Sequence, residues 1–144
     1  MHIKRSAKVD YACRAILELA LHWPNSSPLQ INEIARRQQI PIKFLTQIML
    51  NLKQLGLVES LRGKSGGYLL SRAPQDIKLS DILRTFGELN ATSVSPRLRS
   101  SEKHVLDGIW REIDKTVHNA LDEMNFEMIC TRDRRKHNIV MYEI

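Results

Sequence analysis

Residues 43–72 read KFLTQIMLNLKQLGLVESLRGKSGGYLLSR, and this stretch decides the fold. Leu45, Ile48, Leu52 and Leu55 recur at helical spacing and should face a core. Lys43, Thr46, Gln47 and Gln54 fall on the opposite face, where such side chains can meet base edges and phosphates. Gly56 follows the last periodic residue, the usual helix-stop position. Val58–Leu61 and residues 68–70 then read as two short strands, with Arg62, Gly63, Lys64, Ser65, Gly66 and Gly67 as the tip between them. A polar-faced helix followed by a basic hairpin predicts a winged helix-turn-helix and a surface for DNA. Lys43, Thr46, Gln47 and Gln54 of the helix, with Arg62, Lys64, Ser65 and Tyr68 of the wing, are the expected contacts.

Upstream, residues 9–23 carry Ala12, Ala15, Ile16, Leu19 and Ala20 on one continuous apolar face, which predicts a first helix. Residues 24–28, PNSSP, predict a loop. A second short helix is expected over 31–39, with Ile31, Ile34 and Ala35 inward. Ile40-Pro41 makes the turn, with Pro41 opening the third helix where its missing N–H costs least. Downstream, residues 73–76 end the wing, and Ser80 or a residue near it is expected to cap a short helix running through Phe86. Residues 87–101 read as a loop, residues 102–125 as one long helix, and the remainder as a tail with a basic run at 132–136. The expected organisation is a winged helix-turn-helix domain over 1–87, a loop over 88–101, a dimerisation helix over 102–125 and a tail over 126–144. The fold class is mainly α with a small β-hairpin wing.

Charge follows the same division. Residues 1–90 hold 13 basic and 7 acidic side chains, whereas residues 91–144 hold 9 of each. The whole excess of +6 therefore lies on the half with the helix and hairpin, where it can supply the salt-sensitive part of DNA affinity. No apolar run approaches the length needed to span a bilayer, and the basic start lacks a small-residue cleavage site. A cytoplasmic protein with no membrane partner is expected. Two cysteines, Cys13 and Cys130, cannot build a disulfide framework and read as reduced thiols.

On the long helix Leu106, Trp110, Ile113, Val117, Ala120 and Met124 alternate four and three residues apart, the spacing of a coiled-coil seam. Val105 and Ile109 widen the stripe. The preceding loop detaches this helix from the compact domain, so the stripe is expected to pair with a second copy of the chain. Leu106, Trp110, Ile113, Val117 and Met124 are the dimerisation candidates. Such a dimer would set two reading helices in successive major grooves.

Taken together these residues resemble the Rrf-two family of winged-helix transcription factors, whose members include iron–sulfur cluster regulators, nitrite-sensitive repressors and cysteine metabolism repressors. The matching positions are Asp10-Tyr11-Ala12 with Arg14-Ala15, Ile31-Asn32-Glu33-Ile34-Ala35, Leu45-Thr46-Gln47-Ile48, Leu55-Gly56-Leu57-Val58, Arg62-Gly63 with Gly66-Gly67-Tyr68-Leu69-Leu70, and Leu79-Ser80-Asp81-Ile82. The resemblance implies a homodimer, probing palindromic DNA near promoters. It implies Lys43, Thr46 and Gln47 at the major groove and Arg62 at the minor groove. Some members carry a glutamate where Thr46 stands.

The chain departs from that pattern where cluster-binding members carry three cysteines, between the wing and the long helix. Residues 87–109 contain none, and only His104 falls near a ligand position. A cluster-free regulator, most simply a repressor, with no cofactor and no metal, is expected. It should respond to another signal or to a partner.

Other motifs weigh little. Gly63-Lys64-Ser65 lacks the earlier glycine of a phosphate loop. His118 and Asp122 are two potential metal ligands without a third. No nucleophile stands beside a base, so no enzyme is expected. Cys13 reads as a small core residue. Cys130, followed by Arg132, Arg134 and Arg135, is a redox-switch candidate, because positive charge lowers a thiol pKa. The ending Tyr142-Glu143-Ile144 is similar to C-terminal isoleucine tails that dock into cysteine synthase, which makes a protein partner an alternative.

Overall fold

Small residues on the first helix set how closely everything else packs. The computed structural model describes residues 6–24, 27–87 and 104–142. Helix α1 (Ala7–Leu21) starts at Ser6, whose side chain accepts from the Val9 N–H at 3.2 Å. Its Ala12, Ala15, Ile16, Leu19 and Ala20 are buried, and the alanines let α2 (Ile31–Gln38) and α3 (Ile42–Gln54) approach closely. Between those two helices Gln39 adopts the left-handed conformation at φ 54°, and Ile40 is buried. Pro41 caps α3 and the helix begins one residue later. The difference is slight, since a proline in either place leaves an N–H missing that the helix could not use.

Leu45, Ile48, Met49 and Leu52 of α3 are buried beneath α1. The helix ends as its sequence predicts. Gly56 takes φ +73° and donates to the Lys53 carbonyl, while the Leu57 N–H donates to Leu52. Those two bonds satisfy carbonyls that would otherwise be left open at the helix end. Strands β1 (Val58–Leu61) and β2 (Gly67–Leu70) pair antiparallel, from Val58 opposite Leu70 to Leu61 opposite Gly67.

Leu29 adds a third, single-residue edge to this wing by exchanging two backbone hydrogen bonds with Tyr68, at 2.9 and 2.7 Å. This contact explains Gly67. A Cβ there would collide with the Leu29 backbone, and one on Gly66 would collide with the Leu61 carbonyl.

Beyond the wing, Pro74–Asp76 forms one turn of 3-10 helix, followed by α4 (Leu79–Thr85). Ser80 does not cap α4. Lys78 holds the cap position, with its backbone N–H donating to Asp81, and Ser80 is fully buried inside the helix.

The long helix α5 (Val105–Glu123) is shorter at its end than the expected 102–125. Residues 126–142 do not trail away as a tail; they form another helix, α6 (Phe126–Tyr142). Asn125 breaks the run by capping it, its side chain accepting from the Met128 N–H at 2.9 Å. Phe126 and Cys130 enter the core against α1. The expected loop over 88–101, and the final Glu143-Ile144 of the docking-tail reading, lie outside the described residues.

Candidate nucleic-acid interface

Helix α3 exposes a line of side chains, Lys43, Thr46, Gln47, Leu50 and Gln54, directly opposite its buried face. The Thr46 hydroxyl donates to the Ile42 carbonyl at 2.9 Å, which leaves its lone pairs facing outward. Gln47 donates to Asn51 at 3.3 Å, a contact on the helix surface that a base edge can replace. Leu50 was missed by a search for polar groups. It is exposed between Gln47 and Gln54, and an aliphatic side chain there can meet a thymine methyl.

The wing tip carries Arg62, Lys64 and Ser65, all exposed, and Gly63 turns it at φ +107°. Its orientation is held from outside. Gln30 donates to the Lys64 carbonyl at 3.3 Å, and Lys53 donates to the Ser60 hydroxyl at 2.7 Å. Lys43, Arg62 and Lys64 make no ion pair among the described residues. Their charge is thus available to an anionic partner. Tyr68 differs from the other expected contacts. It lies on the Val58 and Leu70 side of the hairpin, packed against the core, and its backbone is paired with Leu29. Tyr68 therefore also anchors the wing.

A polar network behind this surface fixes the angle of α2. Glu18, almost fully buried on α1, accepts from Arg37 at 3.0 Å and from Gln38 at 2.7 Å, with His22 at 3.4 Å. A buried carboxylate is costly without such partners. Arg36 and Arg37 both pair with Glu33, whose carboxyl they hold below its ordinary range, chiefly through their hydrogen bonds. The only sequence signal for this network was a glutamate inside an apolar run.

The apolar stripe of α5 divides in two. Leu106, Ile109, Trp110 and Ile113 are exposed, and Val105 is 75% exposed. Val117 is half-buried and packs with Val9, Leu83 and Leu121, so the helix is not detached at that end. Met124 is half-buried where α5 turns into α6. His104 caps α5, its ring nitrogen accepting from the Leu106 N–H at 3.1 Å. Asp122 accepts from Ser80 and Arg84. Among the described residues no cluster of three or more His, Cys, Asp and Glu side chains could hold a metal ion. No helix among them is long and apolar enough to cross a membrane.

Cys13 packs against the core as expected, whereas Cys130 does not sit where its sequence neighbours suggest. Cys130 is 1% exposed, and burial pushes it up to about 11 although Arg134 pulls the other way. Burial pushes Cys13 up to about 12, with Asp10 adding to the effect. The redox-switch reading of Cys130 is therefore corrected: its arginine neighbours in sequence do not make it a thiolate.

Comparison with known proteins agrees with this geometry. The profile of the Rrf2 family, described as an iron-dependent transcriptional regulator, matches residues 5–132. The HTH-type transcriptional regulator IscR of Vibrio atlanticus is 30% identical over 125 residues, covering 85% of this chain and 72% of that one. Among solved structures, T. potens IscR is 30% identical with a TM-score of 0.72, covering 90% of this chain and 88% of that one. CymR, the global cysteine regulator of B. subtilis, is 27% identical with a TM-score of 0.77, covering 90% and 97%.

Proposed function

Because the chain belongs to the Rrf2 family of transcriptional regulators, we propose that it binds a palindromic operator as a homodimer and represses the genes beside it. Helix α3 reads the major groove through Lys43, Thr46, Gln47 and Gln54. Arg62, Lys64 and Ser65 of the wing hold the flanking backbone and minor groove. The observation that carries this reading is the outward polar line of α3 set beside an unpaired basic wing tip. The exposed stripe of Leu106, Trp110 and Ile113 supports pairing of two copies through α5. The cytoplasm is where such a protein would meet its DNA.

We place this chain outside the cluster-binding members of its family. A cluster needs several thiolates converging on the same iron atoms. Residues 87–109 contain no cysteine, and Cys13 and Cys130 are packed thiols that burial keeps protonated. The residues present do not fit the group.

Two substitutions test the reading head. Gln47→Ala should weaken binding to the preferred duplex by about tenfold or more, and hardly change binding to unrelated DNA. Lys64→Ala should weaken both alike and lower the salt slope by about one. Unchanged affinity of both variants in a fluorescence anisotropy titration would show that another surface binds DNA.

A further inference from the structure

Helix α5 is fastened to the winged head at one end only. At 1.5 Å per residue it is about 28 Å long, and Asp122 is its second-last residue. Asp122 accepts a hydrogen bond from the buried Ser80 hydroxyl at 2.5 Å and another from Arg84 at 3.4 Å, both on α4. Leu121 packs beside this pair with Val9 and Leu83. Just beyond, the Leu79 N–H donates to the Met124 carbonyl at 2.8 Å and the Phe126 N–H to the Ile77 carbonyl at 3.0 Å. The far half of the helix, from Val105 to Ile113, carries the exposed apolar side chains.

The two sets of contacts do different work. The backbone bonds hold the turn between α5 and α6 in place, as a pivot does. They act on residues 124 and 126 and do not by themselves set the direction of the helix above them. The side chain of Asp122, at the last turn of α5 and bonded across to α4, acts with the packing of Val117 and Leu121 to set that direction. A swing of about 10° about this point would carry the far end of a helix of that length by about 5 Å. In a dimer joined through the far half, the same swing would appear as a change in the distance between the two heads.

We propose that Asp122 is a positioning residue, which through Ser80 and Arg84 sets the angle of α5 to the head and so the half-site spacing the dimer accepts. The inference rests on the dimer reading above. Its carboxyl is held below the ordinary carboxylate range, first by the Ser80 hydrogen bond and then by Arg84, with Lys78 and His118 adding to the effect. The charged form that Arg84 requires is therefore the one present around neutral pH. Nothing in this arrangement touches DNA. Its effect is visible only when two half-sites must be met together.

The probe is the palindromic duplex that the wild-type protein selects from a random pool. It is compared with the same duplex after one or two base pairs are inserted between its halves, and with one half alone. Wild type should be dimeric and lose at least tenfold in affinity on a one-base-pair insertion. Asp122→Ala should remain dimeric and bind the single half within twofold of wild type. It should bind the intact palindrome at least fivefold more weakly, with a flattened dependence on spacing. Asp122→Asn keeps an oxygen acceptor for Ser80 but loses the charge facing Arg84, and should fall between Asp122→Ala and wild type. The inference is overturned if Asp122→Ala keeps the wild-type affinity and spacing dependence. It is equally overturned if affinity for the single half falls in parallel, because the residue would then support the head itself. A monomeric wild type that binds one half and two halves alike would overturn the dimer reading, and this inference with it.

Discussion

Cys130 shows how far the environment of a residue can differ from its neighbourhood in sequence. Arg132, Arg134 and Arg135 follow it, yet α6 turns the thiol inward against α1 while those arginines stay in solvent. Burial pushes the Cys130 thiol up to about 11 from an ordinary 9.0, which lowers its thiolate fraction at pH 8 about a hundredfold relative to the unfolded chain. Alkylation at pH 8 should be at least that much slower in native protein than in urea, and mass spectrometry of quenched samples measures it. Comparable native and unfolded rates would place the thiol at the surface. The linkage to stability has a definite sign. Both cysteines bind protons more tightly folded than unfolded, so stability should not respond to them below about pH 9. It should fall as pH rises from 9 towards 11. The outward face of α3 was easier to recognise, since Lys43, Thr46, Gln47 and Gln54 occupy the side left over once the apolar positions of the helix are assigned. Tyr68 was harder, because strand alternation alone does not say which side of a two-stranded wing is covered.

At the scale of elements, α3, β1 and β2 were legible because each carries its own stop signals. Gly56 ends the helix and Gly63 and Gly66 shape the tip from within the hairpin, while Gly67 also makes room for Leu29. Helix α6 was not legible. Its side chains do not repeat on one strongly apolar face, and among the described residues only Phe126, Ile129 and Cys130 of this helix pack in or against the core. Contact of Phe126 and Cys130 with α1 ties its first turns to the core, and that contact is invisible in the local pattern. Ser80 misled for a related reason: a serine near a helix start usually caps it, but here tertiary packing takes the hydroxyl for Asp122. Helix α5 carries the prediction that belongs to this scale. Ile113→Asp puts a carboxylate at the inner end of the exposed apolar stripe, where pairing would bury it without a partner. We expect a monomer in analytical ultracentrifugation with unchanged helix content, and loss of affinity for the palindrome. A variant that remains dimeric would move the interface off this stripe.

At the scale of the whole molecule, the buried Glu18 network, the Leu29 contact to the wing and the Asp122 latch all act on orientation. The first fixes α2 against α1, the second fixes the wing, and the third ties the head to α5. Reading DNA through two heads demands that arrangement, because each helix must reach its groove while the other is engaged. The basic excess of the first 90 residues brings the molecule to any DNA, and geometry then selects the sequence. Selection of duplexes from a fully random pool by the purified full-length protein, followed by sequencing, tests this most directly. The result expected is a two-fold symmetric motif, with half-site centres about one helical turn (about 10 base pairs) or a multiple of it apart, and with base preferences inside each half that shift for Gln47→Ala. Recovery of a single asymmetric half-site, or of no enriched sequence, would contradict a dimer that reads DNA through α3 and its wing.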